Sequence, residues 1–110
     1  MKTVSRFVDL MKNKKPVKTI NGELKQGSEF VIFENKFGFK QISCILNWKD
    51  GFLHSTPDTP AVQFDDSHTE YWNNGKLSNK ELDIYGNLMP AVISQYGSIE
   101  EYWVDGKRVD

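Results

Sequence analysis

The segment Trp72-Asn73-Asn74-Gly75-Lys76-Leu77 carries the pattern on which the fold of this chain depends. An Asn-Gly pair is preferred in a two-residue type I′ turn, because both central positions of that turn need a positive φ. If Asn74 and Gly75 form the turn, Trp72 lies directly opposite Leu77. The segment therefore predicts a tight β-hairpin stabilised by a cross-strand pair of apolar side chains.

Two further segments repeat the pattern, Trp48-Lys49-Asp50-Gly51-Phe52-Leu53 and Trp103-Val104-Asp105-Gly106-Lys107-Arg108. A weaker copy without the tryptophan is Thr19-Ile20-Asn21-Gly22-Glu23-Leu24. The structural turns are thus expected at Asn21, Gly22, Asp50, Gly51, Asn74, Gly75, Asp105 and Gly106. An isolated hairpin is only marginally stable, so successive units are expected to bury one another's apolar face. The structural core residues of that layer are predicted to be Trp48, Trp72 and Trp103.

The unit resembles the hairpin repeats related to MORN repeats and to YwqK-type antitoxin repeats, which occur in many phage, viral and bacterial proteins. The turns with tryptophan and the two triplets Pro60-Ala61-Val62 and Pro90-Ala91-Val92 carry the resemblance, over about residues 47–110. His54 stands where the family often has a histidine, but Ser55 replaces the arginine that usually follows. Members of the family share no enzymatic activity and are taken as structural or protein-interaction modules. The resemblance therefore implies an interaction role for this part of the chain.

Residues 3–14 are predicted to form a helix, because Val4, Phe7, Val8 and Met11 recur at the spacing of one helical face. A helix of about three turns is not stable alone in water, so its apolar stripe is expected to pack on a sheet. From Lys18 onward the apolar pattern changes to period 2. Strands are predicted over 29–34 and 39–48, and the apolar side chains on both sides of 29–34 favour a central, covered strand.

These patterns predict a single domain, 1–110, of the α+β class with mainly antiparallel β structure. A short N-terminal helix within 1–16 is expected to pack on a sheet of successive β-hairpins. The hairpin strands of 17–46 are followed by the repeated units of 47–110.

Charge is divided between the two halves of the chain. Residues 1–49 carry ten basic and four acidic side chains, a net charge of +6, and residues 50–110 carry four basic and eleven acidic ones, a net charge of −7. Such a division favours either two charged contact surfaces or simple attraction between the halves. A protein-binding surface is predicted at Asp58, Asp65, Asp66, Glu70, Tyr71, Glu101 and Tyr102. A basic contact patch for nucleic acid or an acidic protein is predicted at Lys2, Arg6, Lys12, Lys14, Lys15 and Lys18.

Catalytic and metal-binding sets are not evident in the sequence. The histidines, His54 and His68, are well separated and are expected to be surface residues, and one cysteine with two scattered histidines does not supply a metal site. Cys44 lies in an apolar run and is expected to be a small buried side chain without a disulfide partner. The chain is therefore predicted not to be an enzyme and to need no cofactor or metal.

The sequence favours a non-catalytic binding protein with a protein partner. A small phage-type accessory factor that binds and inhibits a host defence or toxin protein is the leading hypothesis. An oligomeric protein that binds or sequesters a small ligand such as a nucleotide, and a nucleic-acid binder that uses the basic patch, are the alternatives. An apolar run long enough to span a membrane and a secretory signal are both missing from the sequence, so no membrane contact and a cytoplasmic location are expected, in the host if a phage encodes the protein.

Overall fold

Antiparallel strands dominate the computed structural model, which describes residues 3–11, 15–65 and 67–110, with the backbone alone for Phe33. The elements are α1 (Val8–Met11), β1 (Gly27–Glu34), β2 (Lys40–Lys49), β3 (Phe52–Leu53), β4 (Val62–Phe64), β5 (His68–Glu70), β6 (Trp72–Asn73), β7 (Lys76–Leu77), β8 (Val92–Ser94), β9 (Ile99–Glu101), β10 (Trp103–Val104) and β11 (Lys107–Arg108). The main sheet has the strand order β1-β2-β4-β5-β8-β9, and β3 pairs with β2 beside it. The pairs β6–β7 and β10–β11 form separate two-stranded hairpins. The prediction of a mainly antiparallel β fold is confirmed.

Three of the predicted turns have the expected backbone geometry. Asn74 and Gly75 have φ angles of 49° and 83°, as a type I′ turn requires. The turns at Asp50-Gly51 and Asp105-Gly106 have a positive φ at both central residues as well. The predicted cross-strand pairs are confirmed, and they are Trp48 with Leu53, Trp72 with Leu77 and Trp103 with Arg108.

The fourth predicted turn has a different geometry. At Asn21-Gly22 only the glycine has a positive φ, 82°, and the Gly22 N–H donates a hydrogen bond to the Thr19 carbonyl. Thr19 N–H in turn donates to the Glu23 carbonyl, which closes a three-residue loop. This is a hairpin connection that ends in a left-handed glycine, as is common for loops of that length. The segment is therefore a turn, but not another copy of the tryptophan hairpin.

Successive tryptophan hairpins stack through their turn glycines. The Gly75 N–H donates to the Leu53 carbonyl at 3.0 Å, and the Gly106 N–H donates to the Leu77 carbonyl at 2.9 Å. The Gly51 N–H makes the corresponding bond to the Lys25 carbonyl at 2.9 Å. Each hairpin is thus joined to the segment before it.

The core lies on one face of the main sheet, which we call the covered face. One row of cross-strand neighbours on this face consists of Leu46, Val62, Glu70, Val92 and Glu101. The three tryptophans belong to the same core and are buried: Trp48 is 8% exposed, Trp72 is 2% exposed and Trp103 is 8% exposed. Cys44 is buried and free, so its predicted role as a small core side chain is confirmed.

The prediction of a helix over residues 3–14 is wrong for the residues that the structure describes. Helix α1 has four residues, Val8–Met11, and residues 3–7 are not helical. Groups of this segment bond to buried carboxylates of the sheet instead, and such tertiary contacts override the weak helical tendency of a short segment. The α+β assignment is therefore replaced by a mainly β one. The apolar stripe still packs against the core, through Val4, Phe7, Val8 and Met11.

The prediction that residues 29–34 form a central, covered strand is also wrong. Strand β1 lies at the edge of the main sheet, where it pairs with β2 on one side and with no described strand on the other. Phe30 and Ile32 are 54% and 61% exposed. The apolar pattern on both sides of this strand therefore marks an exposed surface and not a buried layer. Among the described residues, no helix is long and apolar enough to cross a membrane.

Candidate functional site

Two buried carboxylates lie on the covered face, Glu70 on the inner strand β5 and Glu101 on β9 at the end of the strand order. Glu70 is 0% exposed and Glu101 is 2% exposed. Both lie in the same cross-strand row and are separated by Val92, and each stands two residues before a core tryptophan. Burial of a carboxylate is costly unless its oxygens accept several hydrogen bonds, and both residues meet that condition.

Glu70 accepts three hydrogen bonds and contacts a ring nitrogen of His68. Its Oε1 accepts from the Ser5 hydroxyl at 2.8 Å and from the indole Nε1 of Trp72 at 3.0 Å. Its Oε2 accepts from the Arg6 backbone N–H at 2.7 Å and lies 2.6 Å from Nε2 of His68. The carboxylate thereby joins the N-terminal segment to the sheet.

Glu101 has the same arrangement of partners. Its Oε1 accepts from the Thr3 hydroxyl at 2.5 Å and from the indole Nε1 of Trp103 at 3.0 Å. Its Oε2 accepts from the Val4 backbone N–H at 2.8 Å and lies 3.5 Å from the Arg108 guanidinium. Each carboxylate therefore binds one hydroxyl, one indole and the backbone N–H that follows the hydroxyl residue.

The third tryptophan receives its carboxylate from another strand. The Trp48 indole Nε1 donates to Glu29 Oε1 at 3.1 Å, and Glu29 lies opposite Leu46 in the register of β1 and β2. Leu46 stands two residues before Trp48, at the position that a glutamate occupies in the other two units. Lys25 Nζ lies 2.9 Å from the same Glu29 oxygen and forms a salt bridge with it. The Glu29 side chain is 38% exposed.

His68 is buried, so the prediction that it is a surface residue is wrong. Its Nδ1 lies 2.9 Å from the Ser94 hydroxyl, and its Nε2 contacts Glu70. Ser94, His68 and Glu70 are thus linked side chain to side chain, and these three residue types are those of a hydrolytic triad. Here the three side chains are 6%, 1% and 0% exposed, and both Glu70 oxygens already accept other donors. Ser94 and His68 therefore support the Glu70 carboxylate, and the three residues do not place a free base beside an accessible hydroxyl.

His54 is only half-buried, and its Nδ1 accepts a hydrogen bond from the Asn74 backbone N–H at 3.1 Å. It thereby joins one tryptophan hairpin to the next. In the described part of the chain, no group of three or more histidine, cysteine, aspartate or glutamate side chains is placed to hold a metal ion.

The pKa of Glu101 lies below its usual range. Burial raises this pKa, but hydrogen bonds from Thr3, Val4 and Trp103, with the charge of Arg108, lower it further than burial raises it. A lowered pKa in the folded state stabilises the protein above the usual glutamate pKa of about 4.3, and that contribution is lost as the pH falls through the folded value. We expect acid to weaken the attachment of the N-terminal segment.

The measurement is the urea midpoint at pH 6 and at pH 3 for the wild type and for Glu101→Gln. The wild type should lose more stability between the two pH values than the variant, which cannot titrate at this position. Equal losses in the two proteins would contradict the assignment of this acid sensitivity to Glu101.

An exposed apolar surface lies on the hairpin of β1 and β2. Phe37 and Phe39, near its tip, are 72% and 71% exposed. We call the part of the hairpin over residues 30–42 the apolar arm, and its exposed apolar side chains are Phe30, Val31, Ile32, Phe37, Phe39 and Ile42. Taking roughly 200 Å² for a fully exposed aromatic residue and less for an aliphatic one, these side chains leave on the order of 600 Å² of apolar surface in water.

The predicted acidic contact surface is not assembled as expected. Glu70 and Glu101 are buried, so the prediction that they belong to an exposed surface is wrong. Asp58 and Asp65 are exposed, and the tyrosines that alternate with the buried glutamates, Tyr71 and Tyr102, are half-buried. Asp66 lies outside the described residues.

The predicted basic patch is described only in part. Lys15 and Lys18 are exposed, and the Arg6 guanidinium lies 4.3 Å from the centre of the Phe64 ring. Arg6 therefore contacts the covered face as well as solvent. Lys2, Lys12 and Lys14 lie outside the described residues.

A cleft of about 490 Å³ lies between α1 and the two separate hairpins. Val8, Met11, Trp72 and Trp103 contribute to its walls, with Lys76, Lys107 and Arg108 among the polar lining residues. Its volume is in the range of sites for small molecules, about 300–1,000 Å³. Comparison of the chain with protein-family models, with curated proteins and with solved structures finds no match.

Proposed function

We propose that this protein is a non-catalytic binding module that docks a protein partner on the apolar arm. The observation that carries the proposal is the exposure of six large apolar side chains on one edge hairpin. Monomeric proteins seldom expose an apolar patch larger than about 300–600 Å² unless it has a function. A standard protein interface buries about 800 Å² on each partner, so the two faces of the apolar arm together supply most of what one side needs.

The edge position of β1 supports a protein as the occupant. An edge strand carries backbone donors and acceptors that a further strand can pair with, and apolar side chains beside that edge add affinity. Phenylalanine is enriched in the centres of protein interfaces. We therefore propose a partner that adds an extended segment to β1 and covers Phe30, Phe37 and Phe39 with apolar groups.

The resemblance of residues 47–110 to interaction repeats supports the finer form of this proposal. In that form the protein is a small phage-type accessory factor that binds and inhibits a host defence or toxin protein in the host cytoplasm. The stacked hairpins then serve as a rigid scaffold for the apolar arm, and no catalytic group is required for inhibition by binding.

A substitution of both tip aromatics tests the proposal. Because Phe37 and Phe39 are largely exposed, Phe37→Glu with Phe39→Glu should leave the fold intact and weaken partner binding by about 30-fold or more, as loss of interface hot spots does. Ile84→Glu with Tyr85→Glu is the matched control, since these side chains are 91% and 81% exposed on another hairpin tip.

The three tagged full-length proteins are used to capture partners from the native host, and the captured protein is then purified and its dissociation constant is measured for each variant. Retention by wild type and control with loss in the Phe37/Phe39 variant is the expected result. Equal binding by all three overturns the assignment of the apolar arm. A wild-type homodimer that the Phe37/Phe39 variant abolishes, seen by light scattering, would instead make a second copy the occupant.

The cleft beside α1 favours a small ligand that carries an anionic group as the second candidate function, because two tryptophans and three basic side chains, against the two acidic side chains Asp9 and Asp105, contribute to its walls. Calorimetric titration with nucleotides tests this alternative. Saturable binding that is lost on Lys107→Ala would support it, and absence of heat at millimolar nucleotide would remove it.

A further inference from the structure

The two buried glutamates bind the chain's own N-terminal segment through a repeated set of hydrogen bonds. In each unit one carboxylate oxygen binds a hydroxyl and an indole N–H, and the other oxygen binds the backbone N–H of the next residue. Thr3 and Val4 occupy the unit at Glu101, and Ser5 and Arg6 occupy the unit at Glu70. One unit therefore takes two residues of the bound segment.

The sheet fixes the spacing of these units. Glu70 and Glu101 belong to β5 and β9, which lie on either side of β8, so the two carboxylates start from backbones roughly 10 Å apart. The bound segment runs across the strands, with Thr3 at Glu101 on β9 and Ser5 at Glu70 on β5. Core tryptophans and cross-strand pairs hold both carboxylates in place, so the site is built by the sheet and not by the segment.

The specificity of the site follows from its acceptors. In each unit the oxygen Oε1 accepts two hydrogen bonds, one from an indole N–H of the core and one from a hydroxyl of the segment, and an apolar side chain in the segment removes the second of these donors. Val4 carries no polar side-chain group and contributes only its backbone N–H to Glu101. The two units thus bind hydroxyl side chains at alternate positions, Thr3 and Ser5, and bind the residue after each through its backbone N–H.

We infer that the covered face is a peptide-binding site for segments with serine or threonine at alternate positions, and that a segment of a partner protein enters it in place of residues 3–6. The chain's own N-terminal segment is then a tethered occupant that masks the site. Helix α1, with four residues, is too short to hold the segment in place, so the hydrogen bonds to the two carboxylates and the packing of its apolar stripe supply the attachment. This site is distinct from the apolar arm, and the inference does not depend on the function proposed for it.

The test uses the full-length chain and a fluorescent peptide with the sequence of residues 1–8, Met-Lys-Thr-Val-Ser-Arg-Phe-Val. Thr3→Val with Ser5→Val removes both hydroxyls from the tethered segment and unmasks the site. The peptide should bind this variant saturably and bind the wild type at least about tenfold more weakly, because a tethered competitor acts at a high effective concentration. A peptide with valine in place of its threonine and serine should bind the variant at least about tenfold more weakly than the first peptide does.

Equal binding of the two peptides by the variant, or no saturable binding of either, overturns the inference. A measurement on the wild type guards against misfolding of the variant. Excess first peptide should speed hydrogen exchange at the amides of Val4 and Arg6, and the valine peptide should not. Unchanged exchange at both amides with the first peptide counts against the inference. A wild-type dimer that Thr3→Val with Ser5→Val abolishes also overturns it, since the segment would then be exchanged between copies of this chain.

Discussion

Replacement of Glu70 by alanine is expected to lower the free energy of unfolding by about 3–5 kcal/mol, the usual cost of removing one partner from a buried charged network. The substitution removes the acceptor of the Trp72 indole and of the Arg6 backbone N–H and leaves Nε2 of His68 without its partner. Each buried donor without an acceptor costs about 1–3 kcal/mol. Because small domains are stable by only about 5–15 kcal/mol, the variant should be close to its unfolding limit.

Glu29→Ala provides the matched control. Glu29 is the acceptor of the Trp48 indole, as Glu70 is for Trp72, but its side chain is 38% exposed and water can replace it. Its removal should cost less than about 1 kcal/mol. Urea unfolding of the two variants and the wild type, with the slope checked for two-state behaviour, gives the comparison. Similar costs for the two substitutions would show that burial does not determine what the carboxylate contributes.

The turns of this protein are predictable from the sequence because their chemistry is local. Asn74 and Gly75 tolerate the positive φ that a two-residue turn needs, and the turn alone places Trp72 opposite Leu77. The buried glutamates carried a local signal as well. Successive side chains along a strand point to opposite faces of the sheet. Tyr71 and Trp72 are therefore expected on different faces, and Glu70 is expected on the same face as Trp72. The acidic character of Glu70 suggested a surface position, and the pattern of alternation would have corrected it.

Features that depend on distant parts of the chain were not predictable in the same way. Val4, Phe7 and Val8 have helical spacing, but carboxylates more than 60 residues away bind the backbone N–H groups of the segment. The apolar residues of β1 look like those of a covered strand, because nothing within 29–34 shows whether another element lies on its outer side. The order of strands in the sheet decides this point, and it places β1 at the edge. The apolar arm therefore became visible only in the structure.

Alanine substitutions at three turn glycines are expected to cost different amounts of stability, because the glycines have the same backbone conformation and different surroundings. Gly51, Gly75 and Gly106 all have a φ of 83°. An added Cβ at Gly51 would lie 2.7 Å from the Pro16 Cβ and 2.8 Å from the backbone N and O of Val17. At Gly75 it would lie 2.5 Å from Cδ1 of Phe52.

Alanine at Gly106 would meet only the Lys76 side chain at 3.8 Å, an ordinary contact, so it adds backbone strain alone. That strain costs about 1–2 kcal/mol for a residue with a side chain in the left-handed region. Alanine at Gly75 must also displace an aromatic ring, and alanine at Gly51 must displace backbone, which overpacking data place at about 1–3 kcal/mol more. We expect the loss of stability in urea unfolding to increase from Gly106→Ala to Gly75→Ala to Gly51→Ala. The same loss for all three would mean that the close stacking of each hairpin on the segment before it contributes nothing, and that the turn conformation alone fixes the need for glycine.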